Sequence, residues 1–360
     1  MVQPIAAVDL FCGVGGLTHG FLLENISVSA GIDIDKACEY PYEQNNKSKF
    51  LHKSVAEVKA ADLLEHFPDN HIKLLAGCAP CQPFSTYSHR YRKEKSIEAN
   101  DKPNEIESQE DKRWELLYAF LKLVEDIHPE LVTMENVIPL RYHPVFHDFV
   151  ARLEDLGYFV TYYIVKCSDY DVPQKRVRLV LFASIYGEVK LCPPFSEKPR
   201  TVRDIIGNLP KINAGEICAE DPMHRARNLS LINLKRIRSS VPGGTWRDWD
   251  DTLVTECHKK KQGKTFSSVY GRMDWKQAPT ITTQFYGYGS GRFGHPEQDR
   301  AISLREGALL QTFKPSYAFA SKAEEISFDT LGRLIGNAVP VNLGRAIARS
   351  LNEHLEEYNV

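Results

Sequence analysis

The chain contains no uninterrupted apolar run of about 18 residues, the length a membrane-spanning helix needs. Nor does it open on a charged segment, an apolar stretch and a small-residue cleavage site. It runs straight into Ile5-Ala6-Ala7-Val8-Asp9-Leu10-Phe11, which reads as a strand. Neither a membrane anchor nor a signal peptide is expected. Cysteine is sparse, 8 in 360 residues, too few for a disulfide framework. A reducing cytoplasm is therefore the expected compartment. No second pair at ligand spacing accompanies Cys78 and Cys81, so no metal is expected. An excess of one charge is missing too: 45 Lys/Arg stand against 47 Asp/Glu. The distribution is less even. Residues 200–276 hold 15 Lys/Arg against 9 Asp/Glu, which suits either a solvated surface or a phosphate-facing one. Internal repeats are absent.

What is present is an alternation of short apolar strands and amphipathic helices. Strands are expected at 5–11, 27–33, 72–77, 129–135, 158–167 and 177–185. Helical patterns lie near 16–24, 35–46, 57–66, 113–127 and 144–156. This alternation predicts an α/β fold with a doubly wound, mostly parallel sheet. An antiparallel return is expected for the last two strands. From about 190 the alternation stops and prolines punctuate the chain. Residues 236–295 are rich in glycine and aromatic residues, which predicts a smaller, loop-rich second domain. Leu343, Ile347, Leu351 and Leu355 mark an amphipathic C-terminal helix. The expected division is 1–190 plus 315–360 for the first domain and 191–314 for the second.

Four constellations carry chemistry. The run Asp9-Leu10-Phe11-Cys12-Gly13-Val14-Gly15-Gly16 ends a strand and opens a helix, as a nucleotide-cradling loop does. Asp33 ends the next strand, where an acidic residue is placed to bond a ribose diol. Pro80-Cys81-Gln82 displays a thiol after an apolar strand. As part of Cys78-Ala79-Pro80-Cys81 it fits a redox pair, and as Cys81 alone it fits a nucleophile that adds to an electron-poor ring carbon. Glu135-Asn136-Val137 ends another strand, where a buried carboxyl could donate a proton. Gln174-Lys175-Arg176-Val177-Arg178 enters a strand, so Arg176 and Arg178 are expected on one face as guanidinium forks. The charge-rich segment 86–112 reads as a lid.

Together these residues resemble the cytosine-C5 DNA methyltransferase family over nearly the whole chain. Asp9 to Gly16 is similar to motif I, Asp33 and Asp35 to motif II, Pro80-Cys81-Gln82 to motif IV, and Glu135-Asn136-Val137 to motif VI. Gln174 to Arg178 resembles motif VIII, Ser303-Leu304-Arg305-Glu306 with Leu310-Gln311-Thr312-Phe313 motif IX, and Gly336 to Val341 motif X.

The resemblance implies a class I S-adenosylmethionine-dependent methyltransferase fold and methyl transfer to C5 of a cytosine flipped from duplex DNA. Cys81 would add to C6, Glu135 would bond or protonate N3, Arg178 would hold O2, and Arg176 would lie nearby. Phe11, Gly13, Gly15, Gly16, Asp33, Ile34, Asn337 and Val339 would line the S-adenosylmethionine site. Gln82, Ser85, Asn136 and Gln174 would meet the substrate. Ser54 stands where the family usually has an Asp near the start of motif III. The region 195–290 would read sequence, with Arg225, Arg227, Lys259, Lys260, Lys261, Arg272 and Arg292 as candidates. A monomer in the cytoplasm, associated with the nucleoid and functionally paired with a restriction endonuclease, is expected. The alternative from the same family is a transfer-RNA cytosine-C5 methyltransferase, whose usual Cys-Phe-Thr element is absent here. A thiol-disulfide oxidoreductase would require Cys78 to matter as much as Cys81.

Overall fold

The computed structural model describes residues 3–80, 112–260 and 269–360. The chain divides into two compact units. The first comprises Met1–Lys166, Val177–Pro193 and Leu343–Val360, and the second Cys167–Arg176 and Pro194–Asn342.

The first unit is built on a seven-stranded sheet. Its strands are β1 (Ile5–Leu10), β2 (Ser27–Asp33), β3 (Lys49–His52), β4 (Ile72–Gly77), β5 (Leu131–Asn136), β6 (Phe159–Lys166) and β7 (Val177–Ser184). They lie in the order β3-β2-β1-β4-β5-β7-β6. The pairs β1–β2, β1–β4, β2–β3 and β4–β5 are parallel, while β7 runs antiparallel to β5 and β6. The doubly wound, mostly parallel sheet is the one expected, with its antiparallel return. Every residue of β1 and β5 is buried, as strands covered on both faces require. β3 was not anticipated. Its four residues Lys-Phe-Leu-His carry too little alternation, and only Phe50 is buried.

Helix Leu116–Ile127 turns Leu117, Phe120, Leu121, Val124 and Ile127 inward, and Phe120 meets Phe149 of helix Pro144–Asp155 at 5.5 Å. The last helix, Val341–Tyr358, also completes this unit from Leu343 onward. Gly344 makes that possible. A Cβ there would sit 2.9 Å from the Leu17 carbonyl oxygen, so only glycine lets this helix approach helix Gly16–Leu23 so closely. Glu24 then receives Arg345 at 2.8 Å and Arg349 at 3.1 Å. Further along, His354 Nε2 lies 2.8 Å from Ser184 Oγ of β7.

The second unit is loop-rich, as expected, with short helices and isolated bridges among its described residues. Its boundary departs from the expected one. It continues to Asn342 because Gln311 Nε2 donates to the carbonyls of Ile335 and Ala338, at 2.9 and 3.0 Å. Gly336 reinforces this, since a Cβ there would meet the Thr282 backbone at 2.4 Å.

A fully buried ion pair anchors the unit. Arg300 and Glu306 are both 0% exposed, and Arg300 donates through Nη1 and Nη2 to Glu306 Oε2 and Oε1 at 2.7 and 2.8 Å. Ser303 and Glu306 also form the capping box of helix Leu304–Leu310. Burial pushes the Glu306 carboxyl up, but the Arg300 charge and hydrogen bonds outweigh it and hold the group at about 2. Replacing Arg300 by Ala leaves that charge buried alone and should destabilise the unit by about 3–5 kcal/mol. Equilibrium denaturation measures this. A loss below about 1 kcal/mol contradicts the anchoring role.

Candidate active site

The loop after β1 is shaped by its backbone. Phe11, Gly13 and Gly15 have φ of 59°, 53° and 84°. Gly15 is the N-cap of helix Gly16–Leu23 and adopts the left-handed conformation that favours glycine. Asp33 at the end of β2 fixes this loop. Its Oδ2 accepts the Gly13 N–H at 2.9 Å and its Oδ1 accepts the Asp35 N–H at 2.8 Å. A carboxylate has about four lone-pair sites, so room remains for two hydroxyls of a diol. Burial pushes the Asp33 carboxyl above its ordinary range, and the two N–H bonds oppose that. Beside it Ile34 is 72% exposed, an apolar surface suited to a flat base. Ser54 precedes the turn Val55–Glu57, and its hydroxyl makes no capping bond. Phe11, Gly13, Gly15, Gly16, Asp33 and Ile34 thus gather at the ends of β1 and β2. They fit a nucleoside-bearing group such as S-adenosylmethionine.

Beneath the loop lies a buried network that sequence reasoning missed. Thr18 Oγ1 donates to Asp9 Oδ2 at 2.6 Å, and the Tyr42 hydroxyl lies 3.2 Å from Thr18 Oγ1 and 3.1 Å from Ser48 Oγ. Among the described residues Asp9 Oδ1 has no hydrogen-bond partner. Burial pushes the Asp9 carboxyl up to about 7 against the Thr18 bond, with the Asp33 charge adding to the rise. No local pattern signals contacts between residues 9, 18, 42 and 48.

The second cluster stands at the ends of β4 and β5. Gly77 pairs with Met134, and Cys78 N–H continues the ladder to the Leu10 carbonyl at 3.2 Å. One strand over, Asn136 Nδ2 donates to the Ala79 carbonyl at 3.0 Å. Asn136 therefore supports the backbone that leads to Pro80. Glu135 is 6% exposed, and Arg178 Nε of β7 lies 3.0 Å from its Oε1. The contact is an ion pair out of hydrogen-bond alignment, so among the described residues buried Oε1 has no hydrogen bond. Burial, then the Glu135 and Asp9 charges, push the Cys78 thiol well above the ordinary range. A reactive thiol needs the opposite, electropositive setting. Cys81, Gln82, Ser85 and the segment 86–111 lie outside the described residues.

Other expected site residues belong to the second unit. Gln174 is 0% exposed and engaged there: Nε2 donates to the Leu310 carbonyl and Gln311 Oε1, and Oε1 accepts the Ile281 N–H. Both amide protons are thereby taken within the unit. Arg176 precedes β7 rather than sharing a strand face with Arg178, and it donates to the carbonyls of Ile281 and Ala338. Asn337 is exposed at the end of helix Phe328–Asn337, and Val339 is buried two residues on.

Among the candidates for reading sequence, Arg272 is corrected. It is buried, donates to the carbonyls of Ile237, Ser240, His295 and Gln298, and pairs with Asp299. Arg225 likewise bonds the carbonyls of Pro222 and Ile326. Arg227 is exposed over the Tyr286 ring, and Lys259 is exposed beside Glu256. The Lys260 side chain and Lys261 lie outside the described residues. Among those residues no group of three His, Cys, Asp or Glu could hold a metal, and no helix is long and apolar enough to cross a membrane.

Comparison with known proteins places nearly the whole chain in a family. Residues 5–353 match the C-5 cytosine-specific DNA methylase family. The chain is 52% identical to the Type II methylase M.HgiDII of Herpetosiphon aurantiacus over 98% of its own length and 96% of the relative's. It is 28% identical to the Type II methyltransferase M.Sau96I of Staphylococcus aureus, over 98% and 76% respectively. A candidate prophage-encoded DNA modification methyltransferase of E. coli shares the fold at a TM-score of 0.72 and 20% identity, with 98% of this chain and 99% of that one covered.

The Asp9 network predicts a pH signature. A carboxyl raised from 3.8 to about 7 by folding lends stability below its unfolded value and loses it as pH rises through about 7. Asp9→Asn removes the titration. Its melting temperature relative to the parent should rise between pH 4 and 8. Parallel melting curves across that range would exclude the buried, uncompensated Asp9.

Proposed function

The chain belongs to the C-5 cytosine-specific DNA methylase family and is a DNA (cytosine-5) methyltransferase; from that premise we propose that it methylates C5 of a flipped-out cytosine within a specific duplex sequence, with Cys81 as the nucleophile. The observation that carries this reading is the buried Glu135–Arg178 pair, held one strand from the Asn136–Ala79 bond that precedes Pro80-Cys81.

In this reading the Cys81 thiolate forms a bond to C6 as the C5=C6 π bond opens. Glu135 holds a proton against N3, where the displaced electrons gather, and Arg178 holds O2. S-adenosylmethionine supplies an electrophilic methyl group on its sulfonium. Once C5 carried that methyl and the thioether had left, loss of the C5 proton to a base and breaking of the Sγ–C6 bond would regenerate the thiolate and the ring double bond. Phe11, Gly13, Gly15 and Gly16 would let the backbone approach the cofactor, Asp33 would accept from its ribose diol, and Ile34 would pack on its base. Ser54 replaces a carboxylate acceptor with a hydroxyl, which weakens one cofactor contact without touching the methyl transfer.

We assign the first unit to catalysis and the second to target recognition. Because M.HgiDII is named a Type II methylase, we also assign the chain to the modification side of a restriction or defence system, with double-stranded DNA as its direct partner. It is read as a cytoplasmic monomer on the nucleoid.

Expression in a host without cytosine methylation, followed by single-base mapping of 5-methylcytosine, should reveal one short methylated motif. Cys81→Ser should lower turnover at that motif by at least about 10³-fold while DNA binding persists. Substantial turnover would remove Cys81 from the nucleophile's role. DNA carrying 5-fluorocytosine at the target should trap a covalent adduct, since fluorine cannot leave as a proton does. A confirmed site without an adduct would sink the mechanism.

A further inference from the structure

The second unit is crowded with guanidinium groups, and nearly all have partners. Arg272 and Arg238 meet Asp299, Arg300 meets Glu306, Arg305 meets Asp221, and Arg203 meets Glu297. Arg236 donates to the Leu253 carbonyl and Asn233, and Arg225 to two carbonyls. Arg292 differs. It is half-buried, its Nε is buried without a hydrogen-bond partner, and among the described residues no carboxylate pairs with it. It stands in the run Gly287-Tyr288-Gly289-Ser290-Gly291-Arg292-Phe293-Gly294, with its Cγ 3.5 Å from where a Cβ on Gly271 would be.

A buried N–H left unbonded is unfavourable, and such groups persist where a ligand completes them. Gly289 and Ser290 beside it are exposed, so another molecule can reach this part of the loop. Partial burial also fixes the direction of the guanidinium, whereas a fully exposed Arg sweeps a wide arc. A planar fork with a fixed direction suits a bidentate acceptor pair. In the major groove only guanine offers such a pair, N7 and O6.

We propose that Arg292 reads a guanine in the recognised sequence through N7 and O6. This rests on the reading of the second unit as the target-recognition part. Arg272 and Arg225 are committed to the fold and are not available for that task.

The test uses the full chain on duplexes that carry the motif mapped for the wild type. 7-Deazaguanine, which replaces N7 by C–H, is placed at each guanine in turn. At one position the wild-type rate should fall by roughly 5- to 150-fold. Arg292→Ala should be slowed by a similar factor on ordinary DNA and should lose nothing more at that position. Arg292→Lys keeps the charge but not the fork and should behave like Arg292→Ala. If either variant melts below the wild type, the one that melts with it decides. Unchanged rates overturn the proposal, as does a deaza effect that survives in Arg292→Ala. A uniform loss over all sequences, with a salt dependence shallower by about one unit of slope, also overturns it and makes Arg292 a phosphate contact. A wild type that leaves no 5-methylcytosine defeats the functional reading instead, so the two failures are distinct.

Discussion

Everything at the candidate active site hangs on the parallel register of β1, β4 and β5. Parallel strands that begin together also end together, so the segments that follow them emerge at one edge of the sheet. Leu10 pairs with Gly77, and Gly77 with Met134. The glycine loop after β1, the Cys78-Ala79-Pro80 turn after β4 and the Glu135-Asn136 end of β5 therefore share that edge. The bonds Cys78 N–H to Leu10 and Asn136 Nδ2 to Ala79 extend the ladder past the last strand residues. The antiparallel β7 adds what a parallel strand could not. It enters from the opposite direction, so its first residues deliver Arg178 to the Glu135 end of β5.

The two units handle buried charge differently. In the second unit, Arg300 and Glu306 satisfy one another with two aligned hydrogen bonds, and the carboxyl stays ionised. In the first, Asp9 has a hydroxyl donor but no cation, and burial favours its neutral form. Glu135 has the Arg178 guanidinium at 3.0 Å, and among the described residues its Oε1 has no hydrogen bond. Complete pairing of the Arg300–Glu306 kind suits an anchor.

Much of this was legible in the sequence because it is local. The Asp9–Gly16 loop, Asp33 and Glu135-Asn136 each end a strand, and apolar runs bounded by turn residues locate strand ends well. The four-residue β3 escaped because it is short and half-exposed. The contacts of Gln174, Arg176 and Arg272 were not legible for a different reason. Their residue types suit ligand binding and structural bracing equally, and what decides is whether a carbonyl from a distant segment, such as Leu310 or Ile281, takes their protons. Pattern within a window carries no information about such partners. The end of the second unit at Asn342, not near 315, has the same origin, since Gln311 reaches 24 and 27 residues along the chain.

The helix Val341–Tyr358 gives the first unit a particular order of assembly. Its sheet strands are complete by Ser184, yet the surface of helix Gly16–Leu23 that Gly344 covers, and the Glu24 carboxylate that Arg345 and Arg349 neutralise, wait for chain made much later. At ordinary translation speeds the roughly 150 residues of the intervening unit occupy the ribosome for on the order of ten seconds. During that interval the nascent sheet carries an uncovered flank and an uncompensated acid. The glycine loop rests on that same helix, so the unit that would hold the cofactor becomes complete only once the chain has been synthesised past both units.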